Sequence, residues 1–493
     1  MTLTNATLAD LPAGVDVPRY DRSALRAGIV HIGLGNFHRA HQAWYLHRLM
    51  QQGAALDWAI VGAGVRAYDA AMRDKLAAQD YLTTLIELDP AGTSAEVSGA
   101  MIDYVPIADG NGPLIARMAQ PDIRIVSLTV TEGGYFIDPA TKGFDASHPE
   151  IRHDGANPGA PRTAFGAIIA ALKLRRAAGT GPFTVQSSDN LQNNGAIARQ
   201  TVVSLARLSD PALAAWIDGA CSFPNSMVDC IVPATGPKEL ALARDLGIPD
   251  AAPVTHENFR QWVIEDDFCA GRPDWDKVGA TFSDRVHDYE VMKLRILNAG
   301  HQVVANAGEL LGMTTISDAA THPRVGAFFQ KVATQEIVPQ VNKVPGMSPV
   351  EYVDLIRRRF SNPAIVDTVR RVAFDGSSRH PGFVLPSVVD ALAANGAVSG
   401  LALVEAAWAR MCEGTREDGS TIAPNDPFWG DLNAAAIAAK RDPQAWLAMR
   451  QTYGDLGQDP RFADAFCAWL SLIWADGIEA AIDRYLADQA PSQ

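Results

Sequence analysis

The stretch Gly28-Ile-Val-His-Ile-Gly-Leu-Gly-Asn-Phe-His38 decides the fold of the first part of this chain. Residues 28–32 are typical of a short buried strand, Gly33-Leu-Gly35 follows at once, and residues 39–52 have helical periodicity. A strand, a Gly-x-Gly turn and a helix can bind a pyrophosphate, because the glycines let the backbone approach it and the helix N-terminus favours negative charge. His38 replaces the third glycine of the usual pattern, so an ordinary glycine-rich turn stays open as the alternative.

Further strand patterns alternate with helical patterns in the first half of the chain. The strand patterns cover residues 57–61, 123–130 and 183–187, and an amphipathic helix covers residues 163–178. This alternation predicts a parallel, doubly wound sheet. We therefore expect an α/β protein in which residues 1–285 form a dinucleotide-binding, Rossmann-type domain.

The second part of the chain has a different character. Alanine-rich helical patterns follow one another there, and strand patterns are scarce. The helical patterns cover residues 290–311, 325–336, 349–360, 364–373, 388–394, 402–412 and 463–487. Residues 286–493 are therefore predicted to form a mostly α-helical domain that carries substrate-binding and catalytic groups.

Charge and cysteine content exclude several classes of function. The net charge is −14 and no basic block occurs, which argues against nucleic-acid and membrane partners. The sequence shows neither a secretion signal at its start nor an apolar run of the roughly 18 residues that suggest a membrane span. The five cysteines are scattered without a Cys-x-x-Cys pair, which predicts a reducing cytoplasm. His38 and His41 lack a nearby third ligand, so we predict no metal site.

A second stretch, Lys293-Leu-Arg-Ile-Leu-Asn-Ala-Gly-His301, places polar groups in an otherwise largely apolar helical segment. At about 100° per residue, Asn298 lies about 140° round the helix from Lys293 and His301 about 80°, while Glu290 comes about one turn before Lys293. All of these groups therefore fall on one arc of one helix, which suggests a site that moves a proton and holds an oxygen. A solvated polar stripe is the alternative, but the apolar neighbours predict burial, and a buried lysine must be paired or neutral.

The residues after the second strand contain candidates for the adenosine end of a dinucleotide. Asp69 could accept hydrogen bonds from the ribose, whereas Arg66 could face a 2′-phosphate. Asp69 could equally be a helix N-cap. We expect the acid to dominate, so that NAD is preferred over NADP.

Longer motifs extend over nearly the whole chain. They are Gly33-Leu-Gly-Asn-Phe-His-Arg-Ala-His-Gln42, Thr129-Val-Thr-Glu-Gly-Gly-Tyr135, Ser188-Asp-Asn190, Ser222-Phe-Pro-Asn-Ser-Met-Val-Asp229, Gln261-Trp-Val-Ile-Glu-Asp266, Gly271-Arg-Pro-Asp-Trp275, Met292-Lys-x4-Asn298-x2-His301 and Asp375-Gly-Ser-Ser378. In these motifs the chain resembles the polyol-specific long-chain dehydrogenases/reductases. The resemblance implies a Rossmann-type domain, a helical C-terminal domain, no metal, and hydride transfer with a nicotinamide dinucleotide.

The resemblance also implies roles for individual residues. Lys293 would be the general base, and Asn190 and Asn298 would be the amides that hold the reacting oxygen. His301 would orient the substrate, and Glu290 resembles a residue involved in proton passage to solvent. Cofactor contacts are implied for Gly33, Gly35, Asn36, Phe37, Arg66, Asp69 and Glu132, and substrate contacts for Asp229, Arg371 and Arg379. Because the two asparagines belong to different predicted domains, we expect the site between the domains.

The expected reaction is oxidation of a polyol to a ketose, in first place D-mannitol to D-fructose, by a cytoplasmic monomer or small homo-oligomer. The alternative within the family is a fructuronate or tagaturonate reductase, since Arg371 or Arg379 could bind a carboxylate. Residues 131–135 resemble the mannitol branch instead. A non-catalytic dinucleotide sensor is the alternative of another class, but it would not need Lys293. Departures from the family pattern, such as Cys230 and Arg379, leave the preferred polyol open.

Overall fold

The computed structural model describes residues 2–138, 141 and 143–489. The chain divides into two compact units, Met1–His287 and Asp288–Gln493. The predicted domain boundary after residue 285 stays a prediction, because compactness does not establish which part folds by itself. Within the described residues, no helix is both long and apolar enough to cross a membrane.

All strands that belong to sheets lie in the first unit as far as it is described. They are β1 Val15–Asp16, β2 Ala27–Ile32, β3 Ala59–Ala63, β4 Thr83–Asp89, β5 Gly92–Ser98, β6 Met101–Tyr104, β7 Ile125–Leu128, β8 Thr184–Ser187, β9 Ser226–Asp229, β10 Val254–Glu257, β11 Gln261–Ile264 and β12 Thr281–Phe282.

The central sheet is parallel and has the order β6-β3-β2-β7-β8. Every residue of β2, β3, β7 and β8 is buried, as expected when helices cover both faces of a parallel sheet. The strand order reverses direction next to β2, which is the doubly wound arrangement. The predicted α/β class with a Rossmann-type sheet is therefore confirmed.

Two smaller sheets were not predicted from the sequence. One is mixed and has the order β1-β5-β4-β10, and it is built around the antiparallel pair of β4 and β5. The other has the order β12-β11-β9. Their strands are mostly short, and the burial of the longer ones, β4 and β5, changes in blocks and not by alternation, so no two-residue hydrophobic period reveals them.

The α-helices of the first unit surround these sheets. They are α1 Asn36–Ala40, α2 Gln42–Gln51, α3 Ala70–Ala77, α4 Gly112–Met118, α5 Pro149–Ala156, α6 Ala164–Ala178, α7 Asn194–Ser209, α8 Pro211–Ala220 and α9 Pro237–Asp245. The predicted helix over residues 163–178 is confirmed, with Thr163 as its N-cap. The predicted helix over residues 39–52 begins earlier and is interrupted at His41.

The described part of the second unit is mostly helical, as predicted. The first helix, α10 Val286–Met292, begins two residues before the division between the units. The α-helices that follow are α11 Ala299–Leu310, α12 Ile316–Thr321, α13 Pro323–Val332, α14 Pro349–Phe360, α15 Val369–Val372, α16 Gly376–Arg379, α17 Leu385–Ala393, α18 Ser399–Cys412, α19 Trp429–Ala439, α20 Gln444–Leu447, α21 Arg450–Tyr453, α22 Pro460–Asp476 and α23 Ile478–Leu486. Three π-helical segments continue α-helices: Lys293–Asn298, Ala333–Ile337 and His380–Val384.

Short 3₁₀ turns complete the secondary structure. They cover Asn5–Asp10, Arg22–Ala24, Ala67–Asp69, Asp109–Asn111, Glu132–Tyr135, Trp275–Val278, Val338–Gln340 and Leu456–Gln458.

Two helix predictions in the second unit were wrong. Residues 364–373 are helical only at α15, because Asn362 and the residues after it form a turn in which Ala364 N–H donates to Asn362 Oδ1 at 2.9 Å. Residues 463–487 form two helices, because Gly477 adopts a φ of +87° that ends α22. A positive φ is incompatible with a continuous right-handed helix.

Candidate active site

The carboxyl ends of the central strands carry most of the predicted site residues of the first unit. Gly33 follows β2, Gly64 follows β3, Thr129 follows β7 and Ser188 follows β8. Parallel strands end at the same edge of a sheet, so these segments share that edge. Ligands of doubly wound sheets bind there, where the strand order reverses.

Gly33 is required by the turn after β2. Its φ is +93°, and a Cβ atom there would lie 2.1 Å from the carbonyl oxygen of Thr129. The Gly33 N–H donates to Ala63 O at 3.0 Å, and the Thr129 hydroxyl donates to Gly33 O at 2.7 Å. The turn is therefore fixed to both neighbouring strands, and only glycine fits it.

Gly35 leaves the turn open to an approaching group. The residue is exposed, and a Cβ atom there would meet no atom closer than Gly33 O at 4.0 Å. The backbone of this turn can thus be approached closely, as a bound pyrophosphate requires. The helix that follows, α1, is shorter than predicted because it ends before His41.

The side chains of Asn36 and Phe37 serve the protein itself. Asn36 Nδ2 donates to Pro233 O at 3.0 Å and to Thr235 Oγ1 at 2.9 Å, which holds a distant loop against the glycine turn. The Phe37 ring stacks on His41 with centroids 4.9 Å apart. Cofactor contacts by these two residues stay predictions.

His38 packs on the central sheet in the place of a third glycine. Its ring stacks on buried His31 with centroids 3.4 Å apart. His31 Nδ1 lies 2.8 Å from Ser127 Oγ, and its Nε2 lies 2.9 Å from Thr129 Oγ1. Burial lowers the pKa of His31 to about 3 and holds the pKa of His38 well below its usual range. Two neutral, flat rings therefore make the close contact between helix and strand.

Asp69 closes the turn after β3. Its Oδ2 accepts from the Arg66 N–H at 3.0 Å, as a cap does. A Cβ atom at Gly64 would lie 2.3 Å from the same oxygen, so glycine is needed for the carboxylate to approach. Asp69 Oδ1 makes no hydrogen bond with the described residues. The capping role and a contact with a ribose are therefore compatible.

The Arg66 guanidinium forms a two-bond ion pair with Glu150. Nη1 donates to Oε1 at 2.6 Å and Nη2 donates to Oε2 at 2.9 Å. The side chains are 42% and 26% exposed, so solvent partly screens the pair. The sequence did not single out Glu150, because it lies 84 residues from Arg66 and belongs to no recognised motif.

The loop that carries Glu132 is held by a buried carboxylate that the sequence did not single out. Asp189 accepts from the N–H groups of Val130 at 3.0 Å and Thr131 at 2.8 Å, and from the Tyr135 hydroxyl at 2.6 Å. Glu132 itself is exposed on this loop. Asp189 and Tyr135 lie inside motifs that carry the resemblance, which is the one signal that could have drawn attention to them.

Asn190 and Asp229 belong to segments that a buried amide joins. Asn190 is exposed and directly follows Asp189. Asn194 Nδ2 donates to Asp189 O at 3.0 Å and to Ser226 O at 2.7 Å. Ser226 begins β9 and Asp229 ends it, with the Asp229 side chain buried. Asn194 thus links the segment that carries Asn190, the predicted oxygen-binding amide, to β9, which ends at Asp229, a predicted substrate residue.

In the second unit, Lys293 and Asn298 lie at the two ends of one π-helical segment. A π-helix forms hydrogen bonds from residue i to i+5, so this segment makes about one turn. The angle between Lys293 and Asn298 is therefore smaller than the angle of about 140° expected for an α-helix, and the two residues lie on one side of the helix, as predicted. His301 follows Asn298 at the i,i+3 spacing of α11, which keeps it on the same side.

The predicted burial of this segment is confirmed. Lys293 is 9% exposed and Glu290 is 5% exposed, and the apolar residues Ile296 and Leu297 are buried. Arg295, which lies between Lys293 and Ile296 in sequence, donates to Asp390 Oδ2 at 2.9 Å and so ties the segment to α17. The alternative of a solvated polar stripe is therefore wrong.

His301 lies near both predicted substrate arginines. Its ring stacks on Phe360 with centroids 4.3 Å apart. Burial lowers the pKa of His301 to about 3, and the Asp367 carboxylate opposes this change. Nearby guanidinium groups lower the pKa further, namely those of Arg371, Arg359 and Arg379. The imidazole is therefore neutral at working pH and can donate one N–H to a hydroxyl.

The two arginines have partners within the unit. Arg371 donates to both carboxylate oxygens of Asp367, with Nε at 2.6 Å from Oδ1. Arg379 Nη1 donates to Val372 O at 2.6 Å. Arg371 is therefore opposed by an acid, a pairing that the i,i+4 spacing could have suggested.

A fully buried network lies behind Arg379. His380 Nδ1 is 2.6 Å from Glu405 Oε1, and its Nε2 is 2.9 Å from Asn306 Nδ2. The Tyr453 hydroxyl donates to Glu405 Oε2 at 2.7 Å. Because Asn306 lies on α11, the network fixes the segment of Arg379 against the helix of His301. No local signal predicts this network, whose members are far apart in sequence.

Within residues 2–138, 141 and 143–489, no group of three or more His, Cys, Asp or Glu side chains is arranged to hold a metal ion. The prediction that the reaction uses no metal stays a prediction.

A doubly wound nucleotide edge and a buried helix with lysine, amide and imidazole are the features of a nucleotide-dependent dehydrogenase. Comparison with known proteins gives a narrower answer. Residues 27–277 match the family model described as the mannitol dehydrogenase Rossmann domain, and residues 285–474 match the mannitol dehydrogenase C-terminal domain. The chain belongs to the mannitol dehydrogenase family.

Individual relatives cover nearly the full chain. A mannitol 2-dehydrogenase of Cereibacter sphaeroides is 54% identical over 95% of this chain and 98% of its own length. The structure of Pseudomonas fluorescens mannitol 2-dehydrogenase in ternary complex with NAD and D-mannitol is 40% identical, with a TM-score of 0.87 over 99% of this chain and 100% of that one. A substrate-free D-sorbitol dehydrogenase is 35% identical, with a TM-score of 0.91 over 98% of this chain and 100% of that one.

Proposed function

We infer that this chain is an NAD-dependent polyol dehydrogenase that oxidises D-mannitol to D-fructose. The observation that carries this function is the buried π-helical turn with Lys293 and Asn298 at its ends and His301 beside them. The full-length similarity to mannitol 2-dehydrogenases supports the substrate. Assays of purified protein that follow nicotinamide absorbance with D-mannitol, D-sorbitol, D-arabinitol and D-fructuronate test it.

Lys293 is the general base of the proposed reaction. A secondary alcohol must lose its hydroxyl proton as a hydride leaves the same carbon. Burial disfavours an ammonium, so a buried amine is more readily neutral and able to accept the proton. Glu290, buried about one turn before it, then takes part in passing the proton to solvent. In the reverse direction the same amine protonates the ketose carbonyl.

Asn190 and Asn298 stabilise the alkoxide that develops on the reacting oxygen. Carboxamide N–H groups suit this role because they donate hydrogen bonds without titrating. His301, neutral and held against Phe360, and Asp229 orient the neighbouring hydroxyls. Arg379 donates further along the polyol chain.

The nucleotide edge fits NAD. The backbone of the glycine turn is open at Gly35, and Asp69 follows β3 with Oδ1 able to accept a hydrogen bond from an adenosine ribose. When bound, NAD accepts the hydride. Glu132 of the loop after β7 is a further cofactor contact in this proposal.

Replacement of Asp69 tests the choice of cofactor. We expect Asp69→Ala to raise kcat/KM for NADP by about tenfold, because a carboxylate that repels a 2′-phosphate is removed. Kinetics with NAD and NADP at fixed polyol measure the change. Asp69→Asn should also raise kcat/KM for NADP, since it removes the charge but keeps an acceptor for the Arg66 N–H. If Asn behaves like the unmodified protein while Ala weakens both cofactors, Asp69 is only a cap.

A neutral polyol fits Arg371 better than a uronate does. A uronate carboxylate would need an unopposed guanidinium fork. Arg371 instead forms a two-bond ion pair with the Asp367 carboxylate, so the pair presents little net charge to a substrate. This pairing supports polyol oxidation over fructuronate or tagaturonate reduction.

The comparison of two reductive substrates tests that choice. We expect kcat/KM for D-fructose to exceed that for D-fructuronate on the order of a hundredfold, because a charged group would be left unpaired in a site built for hydroxyls. Asp367→Asn should lower the ratio of kcat/KM for D-fructose to kcat/KM for D-fructuronate, because the Arg371 guanidinium would then be able to bind a substrate carboxylate. Asp483→Asn, which breaks an exposed pair with Arg324, is the control and should leave the ratio unchanged. A preference for fructuronate would refute mannitol as the substrate.

A non-catalytic sensor is the remaining alternative. It predicts dinucleotide binding without oxidation of any polyol, so oxidation of any polyol in the substrate panel would refute it. The cytoplasmic location and the state of a monomer or small homo-oligomer stay predictions. Size-exclusion chromatography with light scattering measures the latter.

A further inference from the structure

The turn after β3 carries an acid and an arginine, the two kinds of group by which a dinucleotide-binding unit distinguishes a ribose 2′-hydroxyl from a 2′-phosphate. In such units an acid accepts from the ribose 2′-hydroxyl, whereas a nearby arginine accommodates a 2′-phosphate. Asp69 and Arg66 share this turn, since the Arg66 N–H donates to Asp69 Oδ2 at 3.0 Å. The choice between NAD and NADP therefore depends on whether the Arg66 guanidinium is available.

Glu150 occupies that guanidinium. Its two oxygens accept from Nη1 at 2.6 Å and Nη2 at 2.9 Å, which is the parallel geometry that a guanidinium would use for a phosphate. Glu150 lies in the first turn of α5, directly after Pro149, and its own N–H donates to His148 Nδ1 at 3.3 Å. A capped helix thus presents the carboxylate to Arg66.

The pair also changes the charge beside the ribose. The Arg66 guanidinium is hydrogen-bonded to the Glu150 carboxylate and also interacts electrostatically with the nearby Asp69 carboxylate, so one positive charge stands beside two negative ones. Hydrogen bonding to Glu150 raises the pKa of Arg66, and hydrogen bonding to Arg66 lowers the pKa of Glu150, so both stay charged at neutral pH. A 2′-phosphate would meet net negative charge, whereas a 2′-hydroxyl carries none.

We propose that Glu150 is a selectivity residue for the cofactor, which acts by holding Arg66 away from the 2′-phosphate of NADP. Glu150 is a positioning residue, because it acts through Arg66 and not on the cofactor. The inference rests on the proposed NAD-dependent function and adds to it a group from a different helix. Asp69 accepts the hydrogen bond from the ribose, and Glu150 pairs with the Arg66 guanidinium that would otherwise attract a 2′-phosphate.

Binding of two adenosine fragments tests this role without turnover. Calorimetry gives the Kd of 2′,5′-ADP and of 5′-AMP for the unmodified protein, Glu150→Gln and Glu150→Ala. We expect both variants to bind 2′,5′-ADP roughly tenfold to a hundredfold more tightly, the range of a charge-assisted hydrogen bond. Binding of 5′-AMP should stay unchanged. The ratio of kcat/KM for NADP to that for NAD should rise by a similar factor, and the gain should shrink with added salt.

A double-mutant cycle separates positioning from a general effect of charge. In an Arg66→Gln background, Glu150→Gln should no longer improve binding of 2′,5′-ADP, because there is no guanidinium to release. The matched control is Asp218→Asn, which breaks another partly exposed ion pair of the first unit, with Arg199 at 2.7 Å. This control should leave both fragments and the cofactor ratio unchanged. Thermal unfolding should differ little among these variants, since partly exposed pairs contribute little stability.

The outcomes distinguish this inference from the proposed function. If both Glu150 variants leave the affinity for 2′,5′-ADP as it is, or if the gain persists without Arg66, the role of Glu150 is refuted while NAD use stands. If the unmodified protein binds 2′,5′-ADP more tightly than 5′-AMP, then Arg66 already reaches the phosphate and the preference for NAD falls with it.

Discussion

Lys293→Ala is expected to lower the turnover of polyol oxidation by about two to four orders of magnitude, the usual contribution of a positioned acid–base group. The reason is that Lys293 is the group proposed to accept the hydroxyl proton. Its side chain is buried and lies on the same side of the helix as Asn298 and His301. Dinucleotide binding should persist, because the nucleotide edge belongs to the first unit. Steady-state kinetics and NAD titration measure the two properties separately.

Two controls sharpen this experiment. Lys440→Ala removes an exposed lysine of the second unit and should leave turnover unchanged. Lys293→Met keeps most of the buried volume, so a loss that Met shares with Ala is chemical and not a packing defect. Near-normal turnover in either Lys293 variant would contradict the assignment of the base.

The pH dependence carries the same information. Oxidation by the unmodified enzyme should rise with pH, because only the neutral amine of Lys293 can accept a proton. His301 cannot cause this rise: its pKa is lowered to about 3, so it stays neutral through the neutral and alkaline range. The rise should therefore be lost in whatever activity Lys293→Ala retains, and a rise that survives would point to another base.

Removal of one oxygen-binding amide is expected to cost about 2.7–4 kcal/mol of transition-state stabilisation, or about a hundredfold to a thousandfold in kcat. We expect this for Asn190→Ala and for Asn298→Ala, because each would donate to the oxygen on which charge develops. The effect should fall on kcat more than on KM, since the interaction strengthens only as the charge forms. Gln192→Ala, an exposed amide two positions from Asn190, is the control and should leave kcat unchanged.

A cycle with both variants tests whether the amides act on the same oxygen. Asn190 and Asn298 belong to different units, so the structure of either unit alone does not require both amides to bind the same oxygen. If they donate to one oxygen, the double variant should lose less than the sum of the two single losses. Full additivity of the two losses, or a small loss in either single variant, would refute the proposed clamp.

The parts of this protein that were predictable from sequence depend on short-range physics. The Gly33 turn is recognisable because a positive φ and a clash at Cβ admit only glycine. The central strands except β6 could be recognised because continuous burial gives continuous apolar runs, whereas β6 is only partly buried. Most helices followed their 3.6-residue period. Lys293, Asn298 and His301 could be proposed together because they lie close in sequence, and the motifs around them carry the family resemblance.

Tertiary packing decided what the local pattern left open. An apolar period cannot distinguish an α-turn from a π-turn, and the π-helical segment brings Lys293 and Asn298 closer together around the helix than an α-turn would. Arg295 of this segment donates to Asp390 of a distant helix. The pairing of Arg66 with Glu150, and of His380 with Glu405, likewise depends on how remote segments meet. Sequence determines which groups a segment offers, because sterics and burial act locally. The partner of each charged group, and hence its availability to a ligand, is decided only when the chain is folded.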